Sequence, residues 1–469
     1  MTQRVHVVLV PKSPAGDRGP LEKLAFPRGR SQHFAACPEK AEAARKGANC
    51  MDMDAATSPK STVDCLVDKE KFETLFKTRL VVRPAPSSQE AVADGAETEY
   101  LAPEGEVQVP EELADAVEFA FVPTPPEFYG SSFIPPTTAL YHLRLTDVAR
   151  ALNVERCHRR GWTGRGVTVS AGDTGFAKHA FFDENGFNIS RVASADVSDP
   201  EIDPNGHGTG ESANALWIAP DCRFFGIKSA NMKLGLEATL KTKPRVMVQA
   251  WGMPFGELSK AQLQAKDPNA LRQVVHLEQL LAEAMDDGVV TIFAAGNKGG
   301  AAFPACIPDV IAVGGVTVNP DGSLQASNYA SSFESLLYPG RAVPDFCGVA
   351  GGAGTLGAMP GHIMLPVPND SGYEGANLPE DSKKLGWGIF SGTSAAAYQI
   401  AGIAALMIQA NPVLDHDRIK QILAATATNV TAGQSASGHA AGLGHDLATG
   451  SGFVNAFAAC LMAEQIGAA

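Results

Sequence analysis

The most uniformly apolar stretch of the chain follows Ser391-Gly392-Thr393-Ser394. Ala396, Ala397, Ile400, Ile403, Ala404, Leu406, Met407 and Ala410 leave almost no polar face, so the spacing predicts a helix buried on all sides. Asn411-Pro412 closes it, because proline cannot continue a helix. From Gly164 onward, short runs rich in β-branched residues predict strands at Val167–Gly172, Arg223–Lys228, Arg245–Ala250, Val289–Ala294 and Val310–Gly314. Helical spacing predicts helices over Thr209–Leu216, Leu234–Leu240 and Leu271–Asp286. Apolar strands alternating with helices imply an α/β fold, a mostly parallel sheet with helices on both faces. Ligands of such sheets sit beyond the carboxyl ends of the strands.

The first part of the chain has a different texture. Residues 4–11 alternate like a strand, and Pro, Gly, Lys and Arg then dominate to about residue 60, which reads as loop. A helix is expected over Lys69–Lys77, strands over Arg79–Arg83 and Ala116–Val122, and a brief helix over Glu111–Ala116, with an acidic loop over 84–106. These make a small α+β domain, residues 1–122. The run from Pro123 to about residue 140 must be extended, since proline fixes its own φ and restricts its predecessor. It is expected to be a linker, with the larger domain at 141–469. Thr146 is expected to cap a helix running through Val148 and Leu152 to about His158.

Composition narrows the class. A net charge of -13 over 469 residues argues against a general nucleic-acid binder. The short apolar run at the start is closed by Pro11, Lys12 and Ser13 and lacks the features of a secretory signal. No uninterrupted apolar stretch suggests a membrane span. The eight cysteines are scattered without Cys-x-x-Cys, so they are expected to be reduced thiols of a cytoplasmic protein rather than metal ligands.

The polar residues that carry chemistry fall at strand ends and helix mouths. Ser394 precedes the buried helix, where free N–H groups and the positive end of the helix dipole favour a developing anion; on its own the motif is equally a helix cap. Asp173-Thr174-Gly175 closes a strand. Asp-Thr-Gly is also the fingerprint of aspartic proteases, but a chain of this length would need a second copy unless it dimerised, and it has one; otherwise it is a turn. His207 lies among glycines in Asn205-Gly206-His207-Gly208-Thr209-Gly210, at a helix entry. Asn297 follows Ala294-Ala295-Gly296, where its amide can donate to an oxyanion. The Gly-rich run 348–357 lacks the Lys-Ser/Thr of a phosphate loop and reads as a surface loop near the cleft.

The order Asp, His, Asn, Ser at 173, 207, 297 and 394 resembles the subtilases, the subtilisin-like serine proteases, over roughly residues 145–460. The resemblance implies a subtilisin-like fold and a serine endopeptidase. Ser394 is then the nucleophile, His207 the base and Asp173 the residue that orients it, while Asn297 and the Ser394 N–H form the oxyanion hole. It further implies a polypeptide substrate bound as an extended strand along Ala250, Trp251 and Gly252, with Ala294, Ala295 and Gly296 as a pocket wall. No cofactor is needed for the chemistry, and a structural calcium, common in the family, is left open. An N-terminal α+β domain that blocks the cleft is a family habit, so residues 1–122 are expected either to be inhibitory, as in a zymogen, or to be a regulatory or partner-binding domain that stays attached. Departures from the family are Gly210 for a second histidine, Ala395 for Met, Tyr398 for Pro, and Ala250-Trp251-Gly252 for Ser-x-Gly. Trp251 is expected to fill or narrow part of the cleft. The alternative is a catalytically impaired scaffold that binds peptides.

Overall fold

The computed structural model describes residues 3–13, 21–24, 37–57, 62–84, 99–125, 127–128, 142–353, 361–368 and 386–467. At its centre is an eight-stranded sheet. In spatial order the strands are Ile189–Ala193, Arg223–Lys228, Thr168–Asp173, Val246–Gln249, Val290–Ala294, Ile311–Val318 and Leu324–Ala326, with Phe346–Val349 also beside Ile311–Val318. All pairs are parallel except the one made by Leu324–Ala326. The chain enters the sheet at Thr168–Asp173, goes to the edge at Ile189–Ala193, fills the gap with Arg223–Lys228, then crosses to build the other side. That first strand is therefore where the order reverses, and the crevice for a ligand forms at its carboxyl end, which is Asp173.

Side-chain alternation divides the strands between two cores. Val246, Val248, Ile292 and Ala294 pack with the helices His207–Ile218 and Thr393–Ala410, whereas Met247 and Phe293 pack with Met232–Lys241 and Pro268–Asp286. Sixteen residues of the eighteen-residue Thr393–Ala410 helix, here the serine helix, are buried. By length and mean hydropathy it could cross a membrane, but Gln399 and Gln409 interrupt its apolar run and it lies inside the fold.

The N-terminal elements form a separate antiparallel sheet, in the order Asp54–Thr57, Val63–Asp68, Arg4–Pro11, Val117–Phe121. Strand periodicity explains how it is used. Val5, Val7 and Leu9 face a core with Ala44, Ala48, Phe72 and Phe76. Val8 and Val10, with Phe119 and Phe121, meet the helices Met232–Lys241 and Pro268–Asp286.

Several local expectations change. The helix Pro38–Cys50 and strand Asp54–Thr57 lie within the stretch read as loop, while 14–20, 25–36 and 58–61 lie outside the described residues. The buried stripe of that helix is Ala41, Ala44 and Ala48, too weakly apolar to stand out among Glu, Lys and Arg. Glu99–Pro103, expected as loop, pairs with Leu80–Pro84. The helix expected from Thr146 is two, Leu145–Ala151 and Val154–Arg159, broken where Asn153 turns left-handed at φ 61°. Its start is held by Asp147 accepting from the Arg144 N–H at 2.9 Å, not by Thr146. Gly348 to Gly352 are buried rather than a surface loop, and 354–360 lie outside the described residues.

Of the proline-rich run 123–140, residues 126 and 129–140 lie outside the described residues. The described part is docked. The Val122 N–H donates to Asn269 Oδ1 and its carbonyl accepts from Asn269 Nδ2, both at 2.9 Å, and the Thr124 N–H donates to Gln273 Oε1 at 2.9 Å. Glu127–Phe128 then pairs antiparallel with Trp251–Gly252.

Candidate active site

Asp173 ends the strand at which the sheet order reverses, and its carboxylate is fully engaged. Oδ1 lies 2.7 Å from His207 Nδ1 and accepts from the Thr174 N–H at 2.7 Å; Oδ2 accepts from the Tyr398 hydroxyl at 2.8 Å. His207 is the first residue of its helix, entered through Gly206 at φ 79°. Glycine is needed at the next positions because the helix comes so close. A Cβ at 208 would lie 2.3 Å from the Gly175 carbonyl oxygen, and one at 210, where the family usually has histidine, would lie 2.5 Å from the Phe390 ring.

The loop that presents His207 is organised by Asp203, a residue the sequence reading missed. Its Oδ1 accepts from Thr174 Oγ1 at 2.8 Å and the Gly206 N–H at 3.0 Å; its Oδ2 accepts from the Thr209 N–H at 3.0 Å and Thr209 Oγ1 at 2.5 Å. The available signal was an acid three residues before a glycine at a helix entry, the spacing of a side-chain-capped turn.

Burial shapes the electrostatics. It pushes the His207 imidazole down, but the Asp173 carboxylate, by charge and hydrogen bond, outweighs it with help from Glu211 and Asp203, and holds it at about 9. Glu211, one turn along the same helix, is raised to about 8 by burial and by the charge of Asp173. Asp203 is raised by burial against the pull of its Thr209 and Thr174 donors.

Ser394 is the second residue of the serine helix and, like His207, has an exposure of 0%. Asn297 Oδ1 accepts from the Thr393 N–H at 3.0 Å and Thr393 Oγ1 at 3.1 Å, which fixes its amide at the helix mouth. Ser394 Oγ and Asn297 Nδ2 are buried with no hydrogen-bond partner among the described residues. A point at the Cβ position of Gly392 is 3.2 Å from Asn297 Nδ2 and 3.8 Å from the Ser394 nitrogen, so the two N–H donors flank one small space. Tyr398, one turn after Ser394 on the same helix face, links that helix to Asp173.

The residues expected to bind substrate sit beside this centre. Ala250, Ala294 and Ala295 are buried, and the Gly296 N–H donates to Thr393 Oγ1 at 3.2 Å. The indole of Trp251 does not fill the cleft as expected. Its Nε1 donates to Gln249 Oε1 at 2.6 Å and its ring packs edge-on to Phe293 in the core; what it presents to Phe128 is backbone. Among the described residues no three His, Cys, Asp or Glu side chains are grouped to hold a metal ion.

Comparison with known proteins identifies the family and the fold. The model of the subtilase family matches residues 164–444. The alkaline elastase YaB of Bacillus sp. is 28% identical over 313 residues, covering 64% of this chain and 66% of that one. The M-protease of Shouchella clausii is 30% identical over 318 residues with the same coverage. The chain thus spans just under two thirds of the length of these relatives. Subtilisin Savinase of Lederbergia lenta is 29% identical over 318 residues, covering 64% of this chain and 93% of that one. The structure of fervidolysin from Fervidobacterium pennivorans, a keratinolytic enzyme related to subtilisin, matches with a TM-score of 0.58 at 15% identity, covering 98% of this chain and 61% of that one. This last likeness speaks to the fold. With a family match over more than half its length, and the Asp, His, Asn and Ser of the motif gathered at one end of a parallel sheet, the chain belongs to the subtilase family.

Proposed function

We propose that the protein is a serine endopeptidase whose nucleophile is Ser394. As Ser394 Oγ bonds to the scissile carbonyl carbon, its proton passes to His207 Nε2, and the carbonyl π pair moves onto oxygen. The Asn297 amide and the Ser394 N–H donate to that oxyanion. Its collapse expels the amine, which takes the proton from Nε2, and water repeats the sequence on the acyl group. Asp173 holds the imidazole through Nδ1. The observation that carries this reading is the pair of buried, unpartnered groups, Ser394 Oγ and Asn297 Nδ2, beside the 2.7 Å Asp173–His207 hydrogen bond. Buried polar groups usually find partners. Other described side chains also lack one, Thr62 and Ser391 included, but these two stand together at the mouth of one helix, where a substrate carbonyl would meet both. After removal of residues 1–137, a fluorophosphonate probe should label the wild-type protein and leave Ser394→Ala unlabelled, and the variant should lose roughly 10^4-fold or more in kcat. Absence of labelling in both would favour a peptide-binding scaffold instead.

The reading extends to autoinhibition by the N-terminal region. Glu127–Phe128 lies along the edge assigned to substrate, as strand addition would place a peptide, and Ser394 and His207 have no accessible surface. Intact mass followed over time should show cleavage within 129–141 in the wild type and none in Ser394→Ala. A wild-type protein that hydrolyses peptides at full rate while uncut would refute the inhibitory role.

A further inference from the structure

Behind the proposed triad lies a hydroxyl that acyl transfer does not use. Tyr398 is among the largest fully buried side chains of the protein, on a helix where Ala395, Ala396, Ala397, Ile400 and Ala401 offer it no polar company. A buried phenol hydroxyl without an acceptor is costly, and this one is directed at Asp173 Oδ2, 2.8 Å away. Its ring packs against Phe224, with centroids 6.5 Å apart. The other oxygen of Asp173 is taken by His207 and Thr174.

The geometry points to Tyr398 as a positioning residue that ties the outer oxygen of the triad carboxylate and thereby tunes how tightly His207 keeps its proton. The inference rests on the triad reading above. A carboxylate held at one oxygen turns easily, since the torsion that carries it is broad; held at both, it keeps Oδ1 on the imidazole. A donor on Oδ2 also stabilises the carboxylate and draws charge from it, so less remains to stabilise the imidazolium. The titratable groups around the hydroxyl are Asp173 on its strand, Asp203 in the loop beyond, and His207 and Glu211 on the facing helix. Burial, and then the negative fields of Asp173, Glu211 and Asp203, keep the phenol proton in place well above its ordinary range. Tyr398 is therefore a donor throughout the working range, and it serves Asp173 without exchanging a proton.

Two substitutions at one position test this with opposite signs. Tyr398→Phe keeps the ring and deletes the donor. In peptide hydrolysis by protein made as the full chain, kcat should fall about tenfold with KM unchanged, and the acid limb of kcat/KM should move to higher pH by about half a unit. Replacing Tyr398 by 3,5-difluorotyrosine keeps the hydroxyl and strengthens it as a donor, so the acid limb should move to lower pH. Thermal melting of each variant reports whether packing has changed. If Tyr398→Phe fails to fold, the fluorinated variant still reads the sign. Acid limbs that coincide with the wild type, or that both move the same way, would overturn the inference and leave tyrosine a packing residue. Full activity in Ser394→Ala would overturn the triad reading itself; an inactive Ser394→Ala with unmoved acid limbs would overturn only the role of Tyr398.

Discussion

Two buried charge clusters, one at the serine helix and one where the N-terminal sheet meets the helix Met232–Lys241, are built to different ends. At the serine helix, Asp173, Asp203 and Glu211 surround one histidine, and Ser394 Oγ and Asn297 Nδ2 are left without partners among the described residues. At the sheet boundary, Lys233 reaches both oxygens of Asp64 at 2.8 Å and Glu237 at 2.9 Å, while His6 Nε2 lies 2.8 Å from Asp64 Oδ1. Burial pushes the Asp64 carboxyl up, but His6 and Lys233 more than offset it and hold it well below the usual carboxylate range. On the function proposed above, the open groups at the serine helix are held for another molecule, whereas the charges at the sheet boundary are spent on one another.

The sharpest way to break this comparison is Asn297→Ala. Removing an open donor should lower kcat by roughly 10^2- to 10^3-fold with KM nearly unchanged, the size known for the same kind of donor in another member of the family. A change confined to KM would mean that the amide binds ground-state substrate instead. At the other cluster, Lys233→Met leaves Asp64 and Glu237 facing each other without their cation. It should cost on the order of 3 kcal/mol, read by urea unfolding of the Ser394→Ala protein so that self-cleavage does not intrude. A loss within about 0.5 kcal/mol, the size of an ordinary surface substitution, would show that the boundary does not depend on the ion pair.

The smallest expected effect concerns the sign of the pH dependence. Glu211 holds its proton in the folded protein to about 8, against 4.5 in an unconstrained chain. Its contribution is thus fully present below about 4.5 and is lost as pH rises toward 8. Glu211→Gln should abolish that decline and gain on the order of 2 kcal/mol at pH 7. Asp64 runs the other way: its contribution is present above about 3.8 and is lost in acid. Melting temperatures of Glu211→Gln and Asp64→Asn across pH 3–8 would resolve the two slopes, and parallel slopes would contradict the assignment.

The central sheet was legible because runs such as Val246–Gln249 and Val290–Ala294 are buried on both faces and mostly apolar. The candidate residues stood out because Asp173 and Asn297 close or follow such strands, while His207 and Ser394 open helices. The Pro38–Cys50 helix was not, since alanine buries little area and its stripe hardly differs from the exposed face. Direction was the other blind spot. A helix with no polar face gives no indication of where Tyr398 points, and nothing near Trp251 announces that Gln249 turns its indole into the core. Asp203 was hidden because its importance lies in four hydrogen bonds to residues on both sides of a loop, which no local pattern displays.

The pairing of Glu127–Phe128 with Trp251–Gly252 involves two residues on each side. So short a strand would be a feeble ligand if it were free in solution. As part of the same chain, anchored through Val122 and Thr124, it presents itself at an effective concentration of about millimolar, which a scarce substrate cannot match. Cutting the chain between 129 and 141 need not move an atom of the cleft. It changes molecularity: occupation of the edge becomes bimolecular, and dilution then empties it. On the autoinhibition proposed above, activity after the cut should appear faster the more dilute the protein, with each freed N-terminal fragment persisting as a diffusible brake on its neighbours.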